Sequence, residues 1–409
     1  MRKQRVWLVT PFSPLPGEGC GGVKTHSELL ARLLVKLGTE LTVIVPEGGS
    51  KPGPAQAGFI IENVPSNEQP DKKNWRKAMR LTAKRLCRTT PPDIVFSQGY
   101  YAAGCEPVLR VNGAAIAAFV HNFHLIHFYK FVSEVAGPRS FASYLARSLP
   151  TLTCKMLFTE IPFLREAQEV ISVSEHNARL LRRYYRIPGA VLSVLHNWVD
   201  TEVFTPSREL REEERKKLAL TAGQTVFFAA GSLWRPKGFH VAIKAFKLLA
   251  ERAPGTVLML AGSGPEESAL KTLAGPALIS CGRVKFLGER ALEELPSVYN
   301  AADVFLMPSI HPEGLAYTLI EAMACGLPPI TTTLGGNTET VGDAGILLPH
   351  NRPAELASAM LDLASDPGKR SALGLLARER ARRMFSEDQA AEKIKNLLGR
   401  HPGGGRFSA

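Results

Sequence analysis

Two carboxylates at a set separation carry the most specific chemical signal in the chain. Glu313 and Glu321 have seven residues between them in Pro308–Gly326, a segment that follows an apolar run, turns at Pro312–Gly314 and enters a helical pattern. Glu313 therefore falls in a strand-to-helix loop and Glu321 down the helix. A helix start behind a parallel strand presents amides without intrahelical partners and the positive end of the dipole, which suits a pyrophosphate. A carboxylate on the helix can accept two hydrogen bonds from a vicinal diol such as a ribose, and one in the loop can face a sugar. An ordinary buried junction with two solvated glutamates gives the same short pattern, so the motif has to be weighed with its surroundings.

Those surroundings hold cations and histidines. Gly231–Gly238 also follows an apolar run and carries Arg235 and Lys237, either fixed cations for a departing anion or exposed turn residues. His121 comes directly after the apolar run Ala115–Val120, where a side chain at the carboxyl end of a buried strand points into the crevice of an open sheet. A hydrogen-bonded structural role is the equal reading for His121 and the better one for His124 and His127, although the three together are also compatible with a metal. Near the start, Gly17, Gly19 and Gly22 spell G-x-G-x-x-G, with Glu47 beyond the next strand, which makes a nicotinamide-dependent dehydrogenase the rival enzyme. Against it, Thr10–Pro16 inserts a proline-rich stretch where the fingerprint needs the glycines at the strand end.

Parallel sheets covered by helices would position these groups. Apolar runs predict strands at Val6–Val9, Leu41–Val45, Ile94–Ser97, Ala115–Val120, Val170–Val173 and Val191–Leu195, with helical patterns between them. One helix is expected over Ser27–Leu37, its leucines on one face and Gly38 at its end. A charged helix, Glu209–Leu218, reads as a passage between domains, and a second series follows at Val226–Ala230, Val257–Ala261, Val284–Phe286, Val304–Met307 and Pro329–Thr332. The 409 residues exceed the roughly 250 to 300 at which single cores stop growing. The expected division is therefore 1–205, 206–385, a helix 386–399 capped by Ser386 and closed by Gly399, and a disordered tail 400–409.

With the motifs in place, a family resemblance emerges. Glu313–Glu321 resembles the E-x7-E motif of retaining glycosyltransferases of the GT-B fold, in particular glycosyltransferase family 4. Gly231–Gly238 resembles the family's G-R-L-x-x-x-K-G, with Lys237 at the lysine position, Ser232 where arginine is usual, and Arg235 as the second cation. Gly21-Gly22-Val23 resembles its glycine-rich loop, Gly262 and Gly264 its nucleotide-side loop, and His196–Asp200 its hinge, with Trp198 in place of glycine. Helix 386–399 would pack back toward the N-terminal domain.

The resemblance implies an α/β protein with two Rossmann-like domains facing across a cleft, and a retaining transfer of a hexose-type sugar from a nucleotide-diphosphate donor. The C-terminal domain would bind the donor and the N-terminal domain the acceptor. It places Glu313 and His121 by the sugar, Glu321 on the ribose, Lys237 and Arg235 on the diphosphate, and the amides of Gly314, Leu315 and Ala316 at the sugar and phosphates. The family usually has glycine at the position of Ala316. No enzymic nucleophile stands out, so front-face attack is implied, with the leaving phosphate helping to deprotonate the acceptor and no cofactor or essential metal. Loops Gly17–Lys24 and Phe123–Arg165 would select the acceptor. A retaining glycosidase also uses two carboxylates, but about 5 Å apart across a glycosidic bond. A catalytically inactive nucleotide-sugar-binding relative is the other alternative.

Composition narrows the class further. Hydrophobic residues make up 45% and charged residues 22%, and no apolar run reaches the roughly 20 residues needed to span a bilayer. Six scattered cysteines without a C-x-x-C pair, and an apolar run after Met1 too short for a signal peptide, place the expected location in the cytoplasm. The formal charge of +12 favours anionic partners. Lys72–Leu86 reads as a helix with Trp75, Met79, Thr82 and Leu86 on one face and cations around it: a packed surface helix, or a peripheral contact with an anionic membrane on its inner face. No nucleic-acid motif accompanies the charge.

Overall fold

The computed structural model describes residues 2–15, 21–47, 58–66, 68, 72–124 and 149–402. Gly17, Gly19, Cys20, His127, most of the expected acceptor loop and the tail from residue 403 lie outside the described residues. The chain divides into two units. One holds the described residues up to His196 and from Ala390 onward, and the other holds Asn197–Gln389.

The first unit is built on seven strands: β1 (Arg5–Val9), β2 (Glu40–Pro46), β3 (Ile60–Val64), β4 (Ile94–Gln98), β5 (Ala115–Val120), β6 (Glu169–Ser172) and β7 (Leu192–Val194). They form one parallel sheet in the order β3-β2-β1-β4-β5-β6-β7. Every residue of β4, β5 and β6 is buried, which is why their apolar cores Ile94–Phe96, Ala115–Val120 and Val170–Ile171 read as continuous runs rather than alternating ones. The second unit has β8 (Thr225–Ala230), β9 (Thr256–Ala261), β10 (Val284–Gly288), β11 (Val304–Met307), β12 (Pro329–Thr332) and β13 (Ile346–Leu348). Its parallel order is β10-β9-β8-β11-β12-β13.

Five differences from the sequence expectation have physical causes. β3 and β13 are additional edge strands, and an edge needs no continuous apolar run: β3 exposes Ile60 and carries Glu62 and Asn63, while β13 is only half-buried. The first helix begins at Gly22 instead of Ser27. The Ser27 hydroxyl lies inside the helix, donates to the Val23 carbonyl at 2.8 Å and meets the Thr10 hydroxyl at 2.7 Å, so it caps nothing. The charged helix, Arg208–Lys217, belongs to the second unit and is not a passage, because Arg211 pairs with Asp303 at 2.6 Å and Arg215 is buried beside the same carboxylate. The unit boundary accordingly falls after His196 and not near 205. The final helix, Glu387–Arg400, runs through Gly399. It is held on the first unit: Gln4 donates to the Leu398 and His401 carbonyls at 3.2 and 2.6 Å, and Arg400 pairs with Glu169 at 3.2 Å.

The loop after β8 lies against the loop after β9 so closely that only glycine fits. Gly262 has φ +129°, and a Cβ there would stand 1.9 Å from the Gly231 carbonyl oxygen. Gly262→Ala is expected to lower stability by about 2 to 4 kcal/mol from backbone strain and overpacking together. A denaturant titration that leaves the midpoint unchanged would contradict this packing.

Candidate functional site

In the second unit, the loops after β8, β11 and β12 converge. The turn Arg235–Lys237 leaves the β8 loop, and its Pro236 carbonyl accepts the Ile310 amide at 2.9 Å. This contact brings Lys237 to Glu313: Nζ donates to Oε1 at 2.8 Å, and the Ser309 hydroxyl donates to the same oxygen at 3.2 Å. The Glu313 main chain is fixed from the β12 side, where its carbonyl accepts the Gly336 amide at 2.8 Å. Gly335 has φ +63°, and a Cβ there would lie 2.2 Å from the Glu313 carbonyl oxygen, so no larger residue allows this approach. The Glu313 side chain retains 16% exposure. Burial works to raise its carboxyl, but the Lys237 charge and hydrogen bond, the neighbouring His311 and the Ser309 hydroxyl together hold it below the ordinary range.

Glu321 has the opposite environment. It sits on the helix Tyr317–Ala324, is 4% exposed, and accepts the Tyr299 hydroxyl at 2.8 Å. Burial pushes its carboxyl up to about 7, with the Tyr299 hydrogen bond opposing. Beside it, the Tyr317 hydroxyl is buried without a hydrogen-bond partner among the described residues, and burial and then the Glu321 charge push its phenol well up. Gly314 and Leu315 are buried where the chain enters this helix. The Leu315 carbonyl accepts from the Asn197 side chain at 2.8 Å, and Ala316 is extended just before the first turn.

The remaining second-unit candidates are arranged around this pair. Arg235 lies beside Glu266 at 4.0 Å, half-exposed, while Ser232 is exposed on the same loop. Gly262 and Gly264 pack backbone-close on Gly231 and Leu233. Trp198 is a fully buried core residue, which accounts for a large side chain in that segment.

In the first unit, the polar groups again follow the carboxyl ends of strands. His121, after β5, donates from Nε2 to Gln98 Oε1 at 2.7 Å, and Gln98 Nε2 donates to His26 Nδ1 at 2.8 Å. Burial lowers His121 to about 4; burial, then the His121 charge, lowers His26 well below its usual value, against the opposing Gln98 bond. Gly21, with φ 110°, and Gly22 form the start of the helix that carries His26. His124 has a structural partner: its amide and Nδ1 donate to Glu160 Oε2 at 3.1 and 2.9 Å, and the Tyr185 hydroxyl donates to the same oxygen. Among the described residues, no group of three His, Cys, Asp or Glu side chains is placed to hold a metal ion.

Gln98, His26, Tyr299, Ser309 and Glu160 escaped the sequence reading. Gln98 and His26 look like the polar end of a strand and one residue of an amphipathic helix, and are joined only because β1 and β4 pair in space. Glu160 and Tyr185 each close a π-helical turn, Met156–Glu160 and Leu181–Tyr185, which no periodicity signals.

Two family models match the chain: Glycosyl transferases group 1 over residues 210–380 and Glycosyltransferase Family 4 over residues 20–203. With two parallel sheets of this order, they support a GT-B fold built from two glycosyltransferase-family domains. The chain is 32% identical over 232 residues to a GDP-mannose-dependent monoacylated alpha-(1-6)-phosphatidylinositol monomannoside mannosyltransferase from Corynebacterium glutamicum. That match covers 54% of this chain and 60% of the relative, so the chain spans less than two thirds of the relative's length. Among solved structures, sucrose-phosphate synthase from Thermosynechococcus elongatus has a TM-score of 0.77 at 22% identity, covering 97% of this chain and 99% of that one. Anabaena HepE in complex with UDP has a TM-score of 0.74 at 20% identity, covering 97% and 100%. These two likenesses are of fold.

The Glu321 carboxyl gives a stability test with a definite sign. Its folded pKa is raised, so its contribution is full below the ordinary carboxylate range and is lost as pH rises through about 7. Glu321→Gln is therefore expected to stabilise the protein at pH 8 by about 1 to 3 kcal/mol and to change little at pH 4 to 5. Thermal melts at the two pH values check this, and an equal effect at both would contradict the burial assigned to this carboxyl.

Proposed function

We propose that the chain is a retaining, metal-independent glycosyltransferase that moves a hexose-type sugar from a nucleotide-diphosphate donor to an acceptor hydroxyl. The product would be a cell-surface glycan, a glycolipid or a small-molecule glycoside. The observation that carries this reading is the Lys237–Glu313 pair at 2.8 Å, held at the carboxyl ends of β8 and β11 next to a helix start. A fixed cation beside a partly exposed carboxylate suits a substrate with an anionic diphosphate joined to a polar sugar. Lys237 and Arg235 would take the diphosphate, Glu313 and His121 the sugar, and Glu321 the ribose. The glycine-rich Gly21-Gly22 and Gly262–Gly264 segments and the Gly314–Ala316 amides would line the donor.

In the proposed step, the bond from the anomeric carbon to the diphosphate breaks while the acceptor oxygen bonds on the same face, and the acceptor proton passes to the leaving phosphate. Known relatives support a donor of this class, since the corynebacterial relative is named for GDP-mannose and the Anabaena protein is in complex with UDP.

Thermal stabilisation and donor hydrolysis across UDP-, GDP- and ADP-sugars, with NAD and NADP as controls, test the reading. One nucleotide sugar is expected to stabilise the protein saturably. Glu313→Ala and Lys237→Ala are each expected to reduce turnover about 100-fold or more, and the product is expected to keep the donor's anomeric configuration. Turnover unaffected by either substitution, or a response only to the nicotinamide cofactors, would overturn the reading.

The basic helix bears on where the acceptor resides. Its apolar stripe, Trp75, Met79, Thr82 and Leu86, is buried in the first unit's own core, so membrane insertion by that stripe is excluded. Lys73, Lys77, Arg80 and Lys84 face outward, and we infer an electrostatic, peripheral contact with anionic lipid in the cytoplasm. No helix among the described residues is long and apolar enough to cross a membrane. Sedimentation with vesicles containing phosphatidylglycerol is expected to capture the protein at low salt, and replacing Lys77, Arg80 and Lys84 with glutamate is expected to release it. Equal capture by neutral vesicles would contradict this contact.

A further inference from the structure

In the first unit, one carboxamide governs two imidazoles. Gln98, 2% exposed, accepts at Oε1 from His121 Nε2 at 2.7 Å and donates from Nε2 to His26 Nδ1 at 2.8 Å. The rings lie edge to face with centroids 4.4 Å apart. A carboxamide oxygen only accepts and its nitrogen only donates. In this orientation, therefore, His121 carries its proton on Nε2 and His26 carries its proton away from Nδ1. Burial lowers both imidazoles, His121 to about 4, so the two rings are neutral at pH 7. The His121 main chain is fixed as well, since its carbonyl accepts the Asn177 side-chain amide at 3.0 Å, and the Asn177 backbone amide donates to the helix-capping Ser174 hydroxyl at 3.2 Å.

The consequence concerns the second nitrogen of His121, a ring that remains partly exposed. Unprotonated Nδ1 is a lone-pair acceptor that can take a hydrogen bond from a hydroxyl and has none to offer a phosphate oxygen. We propose that Gln98 is a positioning residue, backed by His26, which holds His121 in the Nε2–H tautomer so that Nδ1 accepts from a hydroxyl of the transferred sugar. This rests on the reading that His121 faces the donor sugar. Gln98 acts through His121 and contacts no substrate in this role. A carboxamide turned over would reverse the tautomer of both rings, so the arrangement is open to direct measurement.

The experiment is a long-range proton–nitrogen correlation spectrum of the imidazoles in the labelled full chain at pH 7, with His121 assigned through His121→Asn. It is followed by addition of UDP-, GDP- and ADP-sugars in turn. His121 and His26 are both expected as neutral Nε2–H tautomers before any donor is added. On binding, the Nδ1 resonance of His121 is expected to shift. Gln98→Leu should mix the His121 tautomers and lower kcat/KM about fivefold to twentyfold, mainly through donor KM. Gln98→Glu keeps an acceptor opposite Nε2 and should restore part of that loss at pH 8. A protonated Nδ1 in the unsubstituted protein, or Gln98→Leu with unchanged tautomers and KM, would overturn the role of Gln98. With the tautomers as expected, His121 resonances unmoved by every nucleotide sugar would overturn the donor contact and not the carboxamide lock.

Discussion

The close approach of three loop backbones at the carboxyl ends of β8, β11 and β12 governs the arrangement of the second unit. The Ile310 amide on the Pro236 carbonyl sets the turn that carries Lys237, and the Gly335–Gly336 backbone fixes the main chain of Glu313. The 2.8 Å ion pair follows from these contacts instead of from two flexible side chains finding each other in solvent. This matters energetically, because a largely buried carboxylate is tolerated when its counter-charge and remaining hydrogen bonds are already in place. Ser309 and His311, on the same loop, complete the set around Glu313.

The same constraint operates at the level of topology. The first sheet runs β3-β2-β1-β4-β5-β6 before its extra edge strand, and the second runs β10-β9-β8-β11-β12-β13, so the two units repeat one strand order. In both, the order reverses beside the first strand of the unit, the position where an open parallel sheet places its ligand site. Thr10, Gln98 and His121 follow or end β1, β4 and β5; Lys237, Glu313 and Gly335 follow β8, β11 and β12. Corresponding strands thus deliver a network of neutral polar groups in one unit and an ion pair in the other.

How much of this the amino-acid sequence revealed depends on the range of the interaction. Buried parallel strands were legible because both faces are covered and the residues are almost all apolar, as in β5 and, after Thr256, β9. The positions of Glu313 and Lys237 in loops behind such strands, and of Glu321 on the helix that follows, were legible because these segments come directly after buried apolar runs. The edge strands β3 and β13 were not, since half-covered edges need no apolar run. Partners that meet only through the sheet were also invisible: His26 and Gln98 are 72 positions apart, and Tyr299 reaches Glu321 from 22 positions away. The sequence placed a charged helix between domains by its composition, whereas Arg211 and Arg215 dock it on Asp303.

The charge states of the buried groups bear on ligand choice. Burial keeps His26 and His121 uncharged, and it pushes Glu321 to about 7, so neither centre gains much by holding an ion unaided. The second-unit loop cations, in contrast, already have carboxylate neighbours, Glu313 for Lys237 and Glu266 for Arg235. On the proposed reading, a diphosphate would compete with these carboxylates for the same cations. Every hydrogen bond that Lys237 gives to phosphate would then weaken its hold on Glu313, whose carboxylate depends on that lysine to remain ionised against burial. On the same reading, the neighbouring hydroxyls of the sugar would meet that loss by donating to Glu313, so a ligand carrying both groups would be favoured over one carrying either alone.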